Sequence, residues 1–480
     1  MAGIGFELRK LYEQGGRFSK HRAYGYAGII YIGPMILGLL LIVSLVYLSQ
    51  LAGFSNQERD SLLSMISYSI LGSLAVTNFF SMIVMRYVSD MLYEDKLDRI
   101  LPAYFASSVL MLVLGSIFYG GFLIFSGISF SQALLCWLLF GELCLCWNVT
   151  NFLTAIKDYK AILMAYGAAI VLILLVGGLS LYLHIPNGLL FSICVTYGAL
   201  LLSLTYVLCQ YFPSSKQLSF EFLNWYDRYT DLFKVGLYIF IGLFAHIIML
   251  WYSPLGRVSI GLFRTAPAYD VPAMLAFLTT LIATVSFVVS VEVFFYPKFK
   301  EYYRLYNGNG SLLQIEQAEV EMLEVLQNQM KYLAWKQLLG TILLMFAGST
   351  FLMYLPLGFN AQMKGYFQTL CLAYGLYAVG NSSLLILLYF ADYKGAKFCA
   401  RLFAGATVIL TFCSLFLDRS FYGYGFLMAA ALLFLSSIHR LNNFIEDLSY
   451  HVLGAQPLVY KEKVGFFGKI AGVLTRSEEV

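Results

Sequence analysis

The sequence predicts an all-α polytopic membrane protein with about twelve transmembrane helices in two six-helix bundles and both termini in the cytoplasm. Of its 480 residues, 60% are hydrophobic and only 12% are charged, whereas charged residues make up about a quarter of an ordinary soluble domain. The mean hydropathy is +0.74. Because so much apolar surface can be buried only in a lipid bilayer, the composition excludes an ordinary soluble protein.

Twelve apolar stretches are long enough to cross the hydrocarbon core, which takes about 20 helical residues. We place them at 24–49, 62–88, 101–125, 132–155, 161–183, 188–212, 232–252, 270–296, 335–355, 366–390, 396–417 and 421–439. The first stretch has no small-residue cleavage site, so we expect a retained span and not a signal peptide. Two equal halves that both begin on the inside suggest two parallel repeats.

The basic residues predict which side each loop faces, because cytoplasmic loops carry an excess of Lys and Arg. With a cytoplasmic N-terminus, 26 of the 31 Lys and Arg residues fall in inner segments. The remaining five are Arg59, Arg257, Arg264, Lys364 and Arg419. This asymmetry predicts an even number of spans and inward termini.

The segments outside the spans complete the predicted organisation. We expect an amphipathic cytosolic segment at 1–23, a first bundle at 24–212, a cytosolic connector at 213–231, a second bundle at 232–439 and a basic cytosolic tail at 440–480. The second bundle carries an insertion at 297–334, where Leu312–Met330 predicts an amphipathic helix with an acidic side. Such a helix either lies against the bundle or docks a partner. The tail has the pattern of an interfacial basic helix.

The sequence contains no Walker A motif, no His-Glu-x-x-His and no Gly-x-Ser-x-Gly. The five histidines are scattered, and the eight cysteines lie in apolar segments without a paired motif. We therefore expect no cofactor, no metal and no enzymatic activity. The net charge of +4 gives no footprint for nucleic-acid binding.

Glu142 is the clearest candidate site residue. It lies near the centre of the fourth predicted span, where an ionised carboxylate is costly and normally faces a cavity or a partner. A protonated carboxyl group that hydrogen-bonds a neighbouring helix is the structural alternative. Asn148 and Asn151 share this span, but at 100° per residue they point away from Glu142.

Other polar or helix-breaking residues inside spans are weaker candidates for a transport pathway. They are Pro34, Asn78, His246, Glu292 and Asn381. Proline frees a backbone carbonyl, and interrupted helices are frequent at transporter sites, although a static kink explains Pro34 equally well. The other four can be helix-to-helix hydrogen bonds or, for the glutamate, a side chain that reaches the interface.

Three charged residues near the outer ends of the seventh and eighth spans are candidates for an outer gate. They are Arg257, Arg264 and Asp270. An exposed loop with ion pairs is the alternative interpretation.

The opening segment Met1–Lys10, followed by Arg22–Gly28 and Gly33-Pro34, resembles the N-terminus of the PelG family of exopolysaccharide exporters. The resemblance extends to the length, the twelve spans and the inward ends. It implies the multidrug/oligosaccharidyl-lipid/polysaccharide exporter superfamily, with two six-helix bundles around a central cavity. It also implies a polymer rich in N-acetylgalactosamine, a cytosolic glycosyltransferase partner, PelF, and membrane partners PelD and PelE. It carries over no site residue.

We therefore expect a protein that transports a Pel-like polysaccharide across the cytoplasmic membrane of a bacterium, within a biosynthesis complex. One alternative is a flippase for a lipid-linked oligosaccharide or an ion-coupled exporter of small molecules. Another is a membrane-embedded glycosyl- or acyltransferase, for which the sequence offers only isolated ionisable groups. The third is a scaffold that anchors a glycosyltransferase without moving anything.

Overall fold

The computed structural model describes residues 19–156, 159–213, 218–308, 310–354, 359–454 and 465–476. Within this part of the chain, eleven helical segments are long and apolar enough to cross a membrane, and Met35–Leu51 is a shorter apolar helix. The chain is a multi-pass membrane protein, and the predicted all-α polytopic class is confirmed.

The first half contains six long helices. They are α1 (Ser19–Leu51), α2 (Asn56–Tyr93), α3 (Ile100–Gly115), α4 (Phe130–Ile156), α5 (Tyr159–Tyr182) and α6 (Gly188–Tyr211). Helix α3 continues to Phe125 through a π-helical turn at Ser116–Gly120. The start of α2 is fixed by a capping box, in which Ser55 and Glu58 satisfy each other's backbone amides.

The second half begins with a short connector helix and contains a small hairpin and six further spans. The elements are α7 (Asn224–Arg228), α8 (Thr230–Trp251), β1 (Arg257–Ile260), β2 (Phe263–Thr265), α9 (Pro267–Phe277), α10 (Thr280–Val289), α11 (Tyr296–Tyr306), α12 (Leu312–Leu343), α13 (Ala361–Tyr389), α14 (Tyr393–Ser414), α15 (Tyr424–Glu446), α16 (Leu448–Gly454) and α17 (Phe466–Arg476). Helices α9 to α11 together form one candidate span, and α12 continues to Tyr354 through a π turn at Leu344–Gly348.

The acidic helix that we predicted in the insertion is the first half of α12, and it runs without a break into the ninth span. A capping box between Ser311 and Gln314 fixes where α12 begins. No glycine or proline occurs between Leu312 and Leu339. Because nothing in that stretch interrupts the helical hydrogen bonds, the acidic turns and the apolar span share one axis.

The chain forms two compact units. The first contains the described residues of Gly33–Phe240, the hairpin within Gly256–Thr265 and helix α17, and the second contains the described residues of Met1–Ile32, Ile241–Leu255 and Ala266–Val459. Each unit contains a bundle with the same order of helix neighbours. In one unit, α2 packs against α3 and α4, α4 against α6, and α5 against α6. In the other, α10 packs against α12 and α13, α13 against α15, and α14 against α15. The π turns of α3 and α12 lie at corresponding positions, each shortly before its span ends. This correspondence is what two parallel repeats produce.

Candidate functional site

Glu142 lies half-buried on the face of α4 that is turned toward α6. A Cβ atom added to Gly198 of α6 would lie 3.0 Å from Oε1 of Glu142, so the glycine leaves room for the carboxyl group. Oε2 is buried and has no hydrogen-bond partner among the residues that the structure describes. Burying a polar atom without a partner costs about 2–7 kcal/mol. The carboxyl group is therefore chemically suited to take a proton, a cation or a hydrogen-bond donor of a ligand.

The two asparagines on the same helix bind other neighbours. Asn148 is fully buried and donates from Nδ2 to the hydroxyl oxygens of Ser107 and Ser108 on α3, at 3.0 and 2.9 Å. Asn151 donates to the hydroxyl of Ser81 on α2, at 3.0 Å. The expectation that they point away from Glu142 is confirmed, and these contacts join α4 to the rest of its bundle.

Pro34 and Asn78 lie on α1 and α2 in the first unit. Helix α1 is continuous across position 34, so the proline does not end it. Gly33 instead allows the side chain of Leu163 on α5 to come close to the α1 backbone. Asn78 donates to the carbonyl of Leu74, one turn earlier on its own helix, at 2.9 Å.

A cleft of about 1010 Å³ lies at one end of the first unit. The distribution of basic residues in the sequence predicts that this end faces away from the cytoplasm. Its lining is rich in hydroxyl and amide groups and contains one carboxylate and one imidazole. These polar residues are Ser55, Gln57, Glu58, Ser61, Gln132, Ser180, His184, Asn187 and Ser259. His184 and Asn187 both have positive φ, at 49° and 55°. Residues in this backbone region are uncommon outside glycine and concentrate at functional loops.

The β1–β2 hairpin packs on the N-terminal part of α2 and forms one edge of this cleft. Arg257 forms an ion pair with Asp60 of α2. The buried hydroxyls of Ser64 and Ser259 are 2.5 Å apart. Gly261, with φ of +53°, lies against the carbonyl of Ser126, where a side chain would collide with the backbone. The hairpin is thus fastened to the first unit although it follows the seventh span.

The other two gate candidates have partners of their own. The backbone N–H of Arg264 donates to the hydroxyl of Tyr68 at 3.2 Å. The carboxylate of Asp270 accepts from the indole N–H of Trp251 at 3.1 Å and from the backbone N–H of Ala266 at 2.9 Å. Asp270 therefore stabilises the first turn of α9. Whether the three residues gate a pathway stays a prediction.

His246 lies at the centre of an aromatic cluster in the second unit. It is fully buried, with Nδ1 2.8 Å from the hydroxyl of Tyr269 and Nε2 3.5 Å from that of Tyr374. Its ring stacks on Phe426 with centroids 4.0 Å apart. Both ring nitrogens are engaged, so His246 serves as a hydrogen-bonding link between helices.

Glu292 and Asn381 are the remaining pathway candidates, and both are half-buried in the second unit. Glu292 lies within a π-helical turn at Ser290–Phe295. Single π turns inside helices are frequent at functional sites. The amide of Asn381 on α13 makes no hydrogen bond to the residues that the structure describes.

The connector is held against the predicted cytosolic end of the first bundle. Arg99 at the start of α3 binds both carboxylate oxygens of Glu221 at 2.7 Å. Trp225 donates from its indole N–H to Asp90 of α2 at 2.8 Å. Residues 218–231 of the connector therefore form a structural part of this bundle.

The tail helix α17 docks on the same connector, a contact that sequence reasoning missed. Asp227 accepts from the backbone N–H of Gly468 at 2.7 Å and so caps the start of α17. The rings of Tyr226 and Phe467 stack with centroids 4.8 Å apart. Burial raises the pKa of Tyr226 well above its ordinary value, so its hydroxyl stays protonated and donates to the carbonyl of Phe79 at 2.9 Å. The amphipathic pattern of the tail was the only sequence signal for this docking.

In the part of the chain that the structure describes, no three or more His, Cys, Asp or Glu residues are grouped so that they could hold a metal ion.

Solved structures of transporters share this architecture. The chain is similar to a MOP superfamily transporter from Pyrococcus furiosus, with a TM-score of 0.58 and 13% identity over 94% of this chain and 99% of that one. The eukaryotic MATE transporter AtDTX14 gives a TM-score of 0.57 and 11% identity, over 99% and 100%. The MATE transporter ClbM, determined in complex with Rb⁺, gives 0.54 and 10%, over 91% and 94%. The fold is that of a MOP-superfamily transporter.

The sequence also matches a family. A profile of PelG, described as "Putative exopolysaccharide Exporter (EPS-E)", matches residues 1–453. The chain belongs to the PelG family of exopolysaccharide exporters, and the resemblance of its N-terminus is confirmed. No curated protein matches the chain in sequence comparison. Family and fold together are those of membrane transporters.

Proposed function

We propose that this chain transports a Pel-like exopolysaccharide, rich in N-acetylgalactosamine, across the cytoplasmic membrane of a bacterium. The PelG match over residues 1–453 carries the proposal, and the MOP-superfamily fold supports it. We prefer transport to the enzyme alternative because the matching family and the solved structures of similar fold are transporters.

The outer cleft supports a glycan substrate. Its hydroxyl and amide groups can donate and accept hydrogen bonds, as sugar hydroxyls and acetamido groups require. Among the described residues that line it, the ionisable side chains are Glu58 and His184, and Glu58 is already bonded to Ser55. A cleft of this chemistry suits an extended neutral or weakly basic polymer better than a compact multivalent ion.

Within the membrane, Glu142 is the residue that fits a transport role best. Asn78 and His246 are used by internal hydrogen bonds, whereas Oε2 of Glu142 has no hydrogen-bond partner within the described part of the chain. We propose that Glu142 contacts the pathway, either as a coupling group that takes up a proton or as an acceptor for a sugar polymer with free amines.

The proposed partners are a cytosolic PelF-like glycosyltransferase and membrane proteins like PelD and PelE. The exposed side of the first half of α12 supports such an assembly. It combines the carboxylates of Glu316 and Glu324 with Leu313 and Val320, which are 74% and 65% exposed. An apolar and acidic strip on the side where the nucleotide-sugar transferase works fits a partner surface that is apolar and basic.

Inverted membrane vesicles that contain this chain and the partner transferase test the proposal. Labelled nucleotide-activated N-acetylgalactosamine is added outside, and the label in polymer protected from an added glycosidase is measured. We expect protected polymer only when this chain is present. Polymer that forms but stays accessible would establish the scaffold alternative, and label recovered on a polyprenyl lipid would establish the flippase alternative.

A further inference from the structure

A continuous groove runs along the second unit between α12, α13 and α15. A cavity of about 460 Å³ near the predicted cytosolic end adjoins a narrower one of about 270 Å³. Both are lined by Lys331, Ala334 and Val379, so they form one groove. We propose that this groove holds one zwitterionic phospholipid of the phosphatidylethanolamine type, with its headgroup in the wider cavity and an acyl chain in the narrower one.

The wider cavity lies at the level where headgroups meet the hydrocarbon core. Trp335 and Tyr332 are 63% and 50% exposed on the same stretch of α12. The ammonium of Lys336 lies 4.1 Å from the centroid of the Tyr332 ring. Exposed Trp and Tyr with Lys close by are typical of the membrane interface. This places Lys331, one turn before Trp335, among the headgroups.

The narrower cavity has the length and lining of a seat for an acyl chain. Its wall on α12 extends from Lys331 to Thr341, which is roughly 15 Å at 1.5 Å per residue and about half of a 30 Å hydrocarbon core. Its lining is mostly apolar, and Leu338 and Leu372 are 44% and 37% exposed. The groove therefore spans one leaflet and opens sideways to lipid.

The charges of the wider cavity distinguish between lipids. Lys331 and Glu446 both line it, yet neither forms an ion pair with any residue in the described ranges. Because this ammonium and this carboxylate line the same cavity but do not form an ion pair with each other, they suit a ligand that carries an anionic and a cationic group a short distance apart. A lipid phosphate can bind Lys331 while its ammonium binds Glu446. The amides of Gln327 and Asn442 in the same lining add hydrogen bonds.

Lipid retained by the full-length chain, purified in mild detergent and analysed by native mass spectrometry, tests the proposal. Lys331→Ala removes the cation at the mouth, and Ala334→Phe obstructs the groove where the two cavities join. Each should retain at least fivefold less phosphatidylethanolamine than the parent. Lys336→Ala and Leu339→Phe are matched controls, because neither residue lines the groove, and both should retain the parent amount.

Glu446→Gln tests the headgroup assignment separately from the groove itself. With only the cation left, the retained lipid should change from phosphatidylethanolamine to phosphatidylglycerol, and the ratio of the two should reverse by at least fivefold. Retention that is equal in all four other variants would overturn the site. An unchanged ratio in Glu446→Gln, or a polyprenyl phosphate as the retained species, would overturn the assignment to a zwitterionic phospholipid.

Discussion

At the scale of single residues, the surroundings of Glu142 depend on which helix packs against α4. The sequence predicts that Glu142 lies within a span, but it does not predict that Gly198 of α6 lies beside it. Gly198 on α6 makes room beside the carboxyl group, and none of the described residues forms a hydrogen bond with Oε2. By contrast, both ring nitrogens of His246 lie within hydrogen-bond distance of tyrosine hydroxyls. Asn148 is intermediate, because its Nδ2 donates to Ser107 and Ser108 while its buried Oδ1 has no partner among the described residues.

The role of Glu142 can be separated by two substitutions. Glu142→Gln keeps the volume and the hydrogen-bonding capacity but cannot titrate, whereas Glu142→Asp keeps the carboxyl group one methylene shorter. If Glu142 couples transport to a proton, we expect Gln to lower polymer export at least about tenfold and Asp to retain part of it. Export is measured as secreted polymer at normal expression levels.

Gly198→Ala provides an independent check on the same position. Its Cβ would lie 3.0 Å from Oε1, so the carboxyl group must shift, and export should fall to a level between the parent and Glu142→Gln. Parent-like export from Glu142→Gln would withdraw the residue from the pathway and leave it as a contact between helices.

At the scale of elements, α12 is one helix where the sequence predicted two features, an acidic amphipathic helix and a separate ninth span. Its apolar half crosses the membrane, and its acidic half projects from the same axis. Part of the acidic side is occupied internally, because Glu319 accepts from Tyr302 and Ser449 at 3.2 and 2.7 Å, and Glu321 binds Lys298 at 2.6 Å. The remaining carboxylates face outward.

We expect the double substitution Glu316→Lys and Glu324→Lys to weaken co-purification of the partner glycosyltransferase severalfold, because both side chains are exposed and free to meet a basic surface. Membrane insertion and monodispersity should not change. The matched control is Glu319→Gln, which alters an internal contact and should leave co-purification unchanged. Equal co-purification of the double variant and the parent would show that this side of α12 is only a solvated surface.

At the scale of the whole molecule, the contacts within the first unit join its loops and helix ends into two groups. One group joins the start of α2, the loop after α3 and the hairpin, through the Arg257–Asp60 pair and the bond from Leu262 N–H to the carbonyl of Ser126. The other group joins the end of α2, the start of α3, the connector and α17. Each group contains only segments that the basic residues assign to one side.

Topology reporters inserted after Ser55, Gly127, Leu417 and Val480 test this assignment. Because 26 of the 31 basic residues favour the inner side, the first three reporters should lie outside and the last inside. Activity of an alkaline phosphatase fusion, which works only outside, is the measurement. A C-terminus outside would contradict the twelve-span arrangement.

The sequence by itself determined the class of the protein and the approximate position of most of its spans, and it predicted the sidedness of the loops. It predicted twelve spans, whereas the part of the chain that the structure describes has eleven helical segments long and apolar enough to cross a membrane and one shorter apolar helix. These predictions follow from the length of apolar stretches and the placement of charge, which are properties of short segments and of the bilayer. Only the tertiary structure decided which polar groups meet. The cap of Asp227 on α17 joins residues 241 positions apart, and the Ser64–Ser259 contact joins residues 195 apart. Such pairs depend on how helices pack, and hydropathy and charge patterns do not encode this packing locally.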